Sequence, residues 1–143
     1  MFAQANELPR DEEQTKLLAE ARHKIETALR IAEETSDAEK AGSWLMNLAS
    51  VSLLEGDPQR AFTEYSRALA LAKALGFKRL EAQVRYNLGA MLAKCGALSD
   101  AKQHLEACYP LLVEMDSPFA DITRQRIHAL ARALDELSGE RQM

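Results

Sequence analysis

Cysteine is nearly absent from this 143-residue chain: Cys95 and Cys108 stand far apart, outside any Cys-x-x-Cys spacing. That excludes a disulfide scaffold and a thiolate zinc site, and a reducing, cytoplasmic setting is the simplest reading. Valine and isoleucine are scarce and no segment alternates apolar with polar, which excludes a sheet. No apolar run approaches the ~20 residues that cross a bilayer. Residues 1–10 have neither a basic nor an apolar leader region, so no signal peptide is expected. Basic charge is not in excess: 18 Lys and Arg stand against 22 Asp and Glu, for a net charge of -4. The basic stripe that nucleic acid demands is missing. Missing too are a Ser/His/Asp set, a glycine-rich phosphate loop and Cys/His metal spacing. His23, His104 and His128 fall on three different helices. The single Glu20-x-x-His23 is half of what a di-iron bundle needs. No catalytic residue, metal ligand or cofactor is expected.

What the chain has is alanine, leucine and helix punctuation. The reading is all-α, with six helices in one domain. Residues 1–10 read as a flexible N-terminal arm. Asp11–Glu34 reads as one amphipathic helix, with Leu17, Leu18, Ala21, Ile25, Ala28, Leu29 and Ala32 in a single stripe. Ser36 or Asp37 caps a second helix to Glu55, and Gly56 closes it. Asp57-Pro58 is a cap followed by a proline at the first helical position, and opens a third helix that stops at Gly76. A fourth runs from Lys78 to Cys95 and stops at Gly96. Ser99 or a neighbour opens a fifth to about Met115, which Pro110 should kink. Ser117-Pro118 opens a sixth, to about Leu137, and residues 138–143 read as a frayed tail. Connections of two to five residues make successive helices antiparallel neighbours.

The chain also repeats itself. Asn47-Leu48-Ala49 returns as Asn87-Leu88-Gly89, Gly56 as Gly96, Ala61 as Ala101, and Tyr65 as Leu105. The offset is 40 at each step. The same offset lays Ala21 on Ala61 and Ala101, and Ala28 on Ala68 and Cys108. Small residues flanking a large one mark close helix crossings. The Leu-(Gly/Ala) pair, the Gly-x-x-x-x-Ala turn and the later aromatic or leucine with alanine resemble the tetratricopeptide repeat. The closest match is Glu81–Gly89. The usual period is 34, so 40 is similar to the long-repeat subclass of kinesin light chain and spindle-orientation adaptors. Trp44 stands one place from the aromatic position of the family, and its counterpart is Val84.

The resemblance implies a right-handed α-superhelix over residues 11–137: a half repeat (11–35), two repeats (38–76 and 78–116) and a capping helix (118–137) in which His128 takes the place of Leu48 and Leu88. It implies a non-enzymatic scaffold whose first helices line a concave groove for a partner peptide or helix. Carried over, the groove positions are Ser43, Met46, Asn47, Ser50 and Leu54, then Gln83, Tyr86, Asn87, Ala90 and Lys94, then Thr123, Arg126 and Leu130. Asn47 and Asn87 lead the set, because a side-chain amide complements a peptide bond and asparagine is a poor helix former. Met46 and Tyr86 add adaptable apolar area. The alternative is a self-assembling module, a homodimer through the N-terminal half repeat, whose stripe lacks a partner helix. A metal-binding or catalytic bundle comes last.

Overall fold

A computed structural model describes residues 11–142, all of its regular structure helical; the arm expected over residues 1–10 lies outside the described residues. The helices are α1 (Glu12–Glu34), α2 (Ala38–Leu54), α3 (Pro58–Leu75), α4 (Lys78–Lys94), α5 (Leu98–Glu114) and α6 (Ala120–Gln142). Their starts follow from short carboxylates. Asp11, Asp37 and Asp57 accept from the backbone N–H of Gln14, Lys40 and Arg60 at 2.7, 3.2 and 3.0 Å, satisfying donors that a helix start leaves unpaired.

The ends are more uniform still. Left-handed residues stand at Ser36, Gly56, Gly76, Gly96 and Asp116, with φ from 51 to 83°. After each one, an N–H bonds back across the turn: Asp37 to Ala32, Asp57 to Ser52, Phe77 to Ala72, Ala97 to Leu92 and Ser117 to Leu112, at 2.8–2.9 Å. This six-to-one bond ends a helix and reverses the chain. The turns recur every 20 residues, half the side-chain period.

Three boundaries differ from the sequence reading. No side chain caps α5: Ala97 holds that place, and Ser99 lies inside the helix. At the start of α6, Pro118 and Phe119 form a turn in which Ser117 Oγ accepts from the Phe119 N–H at 3.2 Å. The helix also runs past Leu137 to Gln142 rather than fraying from residue 138. Residues 138–140 are exposed and a Cβ on Gly139 would meet nothing within 4 Å, so one glycine costs about 1 kcal/mol without stopping the helix. Pro110 lies inside α5, which continues to Glu114; the ring removes the bond to the Glu106 carbonyl and the helix goes on.

The chain divides into two compact units, one ending at Leu80 and one beginning at Glu81. In the first, α2 packs against both α1 and α3 over Leu29, Leu45, Leu48, Ala61, Tyr65 and Ala68. Gly42 lies under Leu80, where a Cβ would run into Leu80 Cδ2. In the second, Val84, Leu88, Leu105, Cys108 and Leu112 are buried. The matched pair Ala49 and Gly89 marks close crossings, as the repeat implies: Ala49 is fully buried, and a Cβ on Gly89 would meet Leu105 Cδ2 at 2.8 Å.

Candidate partner-binding faces

On α2, Ser43, Met46, Asn47, Ser50 and Leu54 follow the three- and four-residue spacing of one helix face. Asn47 and Leu54 are exposed and the others half-buried. The side chain of Asn47 makes no hydrogen bond among the described residues. Ser50 is already engaged: its hydroxyl lies 3.3 Å from the Met46 carbonyl and 3.2 Å from the Tyr65 hydroxyl. Burial raises the Tyr65 pKa, and the hydrogen bond with Ser50 offsets part of that rise.

In the unit from Glu81, Gln83 and Lys94 are exposed, while Tyr86, Asn87 and Ala90 are half-buried. The Arg126 guanidinium stands over the Tyr86 ring, 5.2 Å from its centroid. Phe119 meets the same ring at 5.7 Å, tilted by 56°. Tyr86 thus joins α4 to α6, and its ring is shared between packing and a cation–π contact. Asn87 matches Asn47 in making no hydrogen bond among the described residues. Of the two further positions carried over on α6, Thr123 is fully buried and donates to the Phe119 carbonyl at 2.7 Å, and Leu130 is buried. Both face the core, so of the α6 residues Arg126 is the one exposed.

The most polar interior of the molecule lies elsewhere. Arg22, on α1, donates from Nε and Nη2 to Glu55 and from Nη2 to Ser52 Oγ at 2.8 Å. Ser52, fully buried, donates in turn to Glu64. Glu64, also buried, lies 3.7 Å from both Arg22 Nη1 and Arg60 Nε. Burial works against the Arg22 charge, but the hydrogen bond to Glu55 and the charges of Glu55, Glu64 and Glu26 outweigh it, and its pKa is raised. Nη1 is shielded from solvent and makes no hydrogen bond. Two cations and two carboxylates therefore tie three helices together. The clue was visible: Glu64 falls between Ala61 and Ala68 in the apolar register, and Arg22 lies beside Ala21.

Around the other matched helix pair, Arg85 bonds Glu81 one turn away at 2.8 Å and lies 3.3 Å from His104 Nδ1. Cys108 donates to the Ala82 carbonyl at 3.3 Å. Burial pushes its thiol up to about 11, against the pull of Arg85 and with a small push from Glu81. Among the described residues no three His, Cys, Asp or Glu side chains are grouped to hold a metal. No described helix is long and apolar enough to cross a membrane.

Antiparallel helices joined by equivalent turns, with matched small residues at their crossings, define an all-α helical-repeat protein. The family model of the tetratricopeptide repeat matches residues 41–114, just over half of the chain, and the chain belongs to that family. No curated protein matches it. Tetratricopeptide repeats generally mediate protein–protein interaction.

Proposed function

We propose that the protein is a non-catalytic adaptor that holds a partner peptide or helix along the faces of α2 and α4. The observation that carries this reading is the pair Asn47 and Asn87. They are forty residues apart at equivalent places, and each carries an amide with no hydrogen bond among the described residues. Asparagine in a helix interior costs several tenths of a kcal/mol relative to alanine, and its use twice at one repeat position suits recognition better than folding. Met46 and Tyr86 give apolar area beside the two amides, and Lys94 and Arg126 give cations. Two free cysteines fit a reducing, cytoplasmic setting.

The test uses peptides selected from a random library against the wild-type protein. Asn47→Ala with Asn87→Ala should leave helicity and melting as they were and weaken peptide binding roughly tenfold or more, two lost amide contacts at about 1 kcal/mol each. Binding that survives both changes rejects the assignment. A second reading is self-association through the N-terminal half repeat. It is favoured by Leu17 and Ile31 of α1, 57% and 53% exposed, large apolar side chains on a helix that touches α2 by its other side.

A further inference from the structure

Within the unit that ends at Leu80, α1 is lightly held. Of its apolar stripe, Leu29 and Ala32 are buried, Leu18, Ala21, Ile25 and Ala28 are half-buried, and Leu17 is exposed. By contrast α2 has seven buried residues and α3 five, and α3 packs on α2 more extensively than α1 does. α1 therefore leans on Arg22. Its hydrogen-bond partners, Ser52 and Glu55, belong to α2 and its C-terminal cap, and its charge also faces Glu64 of α3. That contact is imperfect, because closure leaves the shielded Nη1 without a hydrogen bond. The joint carries strain as well. The chain between α1 and α2 reverses at Ser36, with φ 57°, where Gly56 takes the left-handed conformation after α2. A β-carbon raises the energy of such a turn, and a turn freed from the packing of α1 can leave it.

We infer that α1 is a hinged cover: it swings away as one helix about residues 35–37 while α2 and α3 stay folded on each other. The Arg22 cluster is the latch that sets how often it opens. An apolar contact resists opening in proportion to the area that water would regain. A buried charge cluster resists less, because each charge recovers on opening the hydration that burial removed, and Nη1 gains a partner that it lacks when closed. Opening as a whole returns Arg22, Ser52, Glu55 and Glu64 to water together. Loss of Arg22 alone acts on the closed form, where Glu64 stays buried without that cation, and so favours opening. Replacing the latch by apolar side chains gives the contact an area to protect and favours closure. α1 is thus the helix that can give up its place without the rest unfolding.

Hydrogen exchange of the full chain, read residue by residue at neutral pH, tests this. In wild type the interior amides of α1 should exchange at one shared rate, roughly a hundredfold or more faster than those of α2 and α3. A single rate for all three helices means that α1 opens only with the rest, and overturns the inference. Exchange that creeps inwards from Glu12 is end fraying and overturns it too. Arg22→Ala should speed α1 by roughly a hundredfold. Arg22→Met, Ser52→Leu and Glu64→Leu together should slow it by roughly tenfold. The reference is α6, an end helix of the same 23 residues that is anchored by Thr123 and Leu130; neither variant should move its exchange. A change of equal size in α6, an α1 indifferent to Arg22→Ala, or a triple variant whose α1 opens no slower than that of wild type each overturns the latch.

Discussion

The repeat formed by α2 and α3 and the one formed by α4 and α5 share a 40-residue register, a turn geometry and a small residue at the crossing, yet they are held differently. Ser52, fully buried, corresponds to Leu92, also fully buried. Glu64 corresponds to His104, and Arg22 to Phe62. The first repeat carries a charged cluster that reaches back to α1. Around α4 and α5 the charge is an arginine and glutamate on one helix, with a histidine and a buried thiol beside them. One backbone plan therefore tolerates two interiors, provided that each is internally satisfied. A buried charge cluster gains little over an apolar core of equal volume, but it is costly to break in part. It ties α1 to one register on α2 and α3, which an apolar face of alanine and leucine would specify less sharply.

The largest effect expected from this difference is in the arginines. Arg22→Ala leaves Glu64 buried against Ser52 and should cost about 3 kcal/mol. Arg85→Ala breaks a pair within one helix and should cost about 1 kcal/mol or less. Urea titration of both variants measures the gap, and equal losses would mean that the cluster is no more than a surface ion pair. The comparison sharpens if the polar cluster is made apolar. Arg22→Met, Ser52→Leu and Glu64→Leu together should recover most of what Arg22→Ala loses, because the partners of the removed charge go with it.

Next come the crossings. Gly89→Ala places a methyl 2.8 Å from Leu105 Cδ2 and 3.4 Å from the Ala101 carbonyl. Leu105 is buried and has little room to yield, so a net loss of about 1–2 kcal/mol is expected despite the better helix former. Ala49→Gly, at the equivalent place, should lose about 1–2 kcal/mol, through helix propensity and the loss of one buried methyl. Thermal melts of the two variants decide whether the crossings differ in closeness; a Gly89→Ala variant more stable than wild type would show that they do not.

Smaller is the effect at the turns. Ser36, with φ 57°, adopts a backbone that glycine takes without strain. Ser36→Gly should gain about 0.5–1 kcal/mol, visible as a raised denaturant midpoint. The smallest effect at neutral pH is that of Cys108. Its thiol is pushed from 9.0 up to about 11 in the folded chain. The unfolded chain ionises first, so stability is complete below pH 9 and declines as pH rises towards 11. Cys108→Ala should flatten that decline, and a decline of the same depth in the variant would assign it to other groups.

Helix positions were legible because Gly56, Gly76 and Gly96 announce their turns and Asp57-Pro58 its start. Ser36 and Asp116 perform the same reversal without glycine, so their conformation could not be read from residue type. The end of α6 was placed early because a polar chain terminus reads as frayed, whereas the helix continues to Gln142. That Asn47 and Asn87 stand at equivalent places was legible by register alone. The arginine cluster was only half legible: Glu64 interrupts the apolar register of α3, but Ser52 looks like a solvated residue until Arg22 arrives from thirty residues upstream. Ser50 was likewise read as a groove residue before its bonds to Tyr65 and Met46 gave it a packing role.

The turns keep a beat of twenty residues while side-chain identities keep one of forty, and the two beats constrain how the chain can change length. Adding or deleting twenty residues from turn to turn would leave every reversal intact but invert the parity of all helices beyond it. Leu88 would then stand where Ala68 or Cys108 stands, a large side chain in a small and fully buried place. Adding or deleting forty preserves parity. The backbone accepts single helices as modules, but the side chains accept only pairs, so growth or loss in this chain is quantised by the pair.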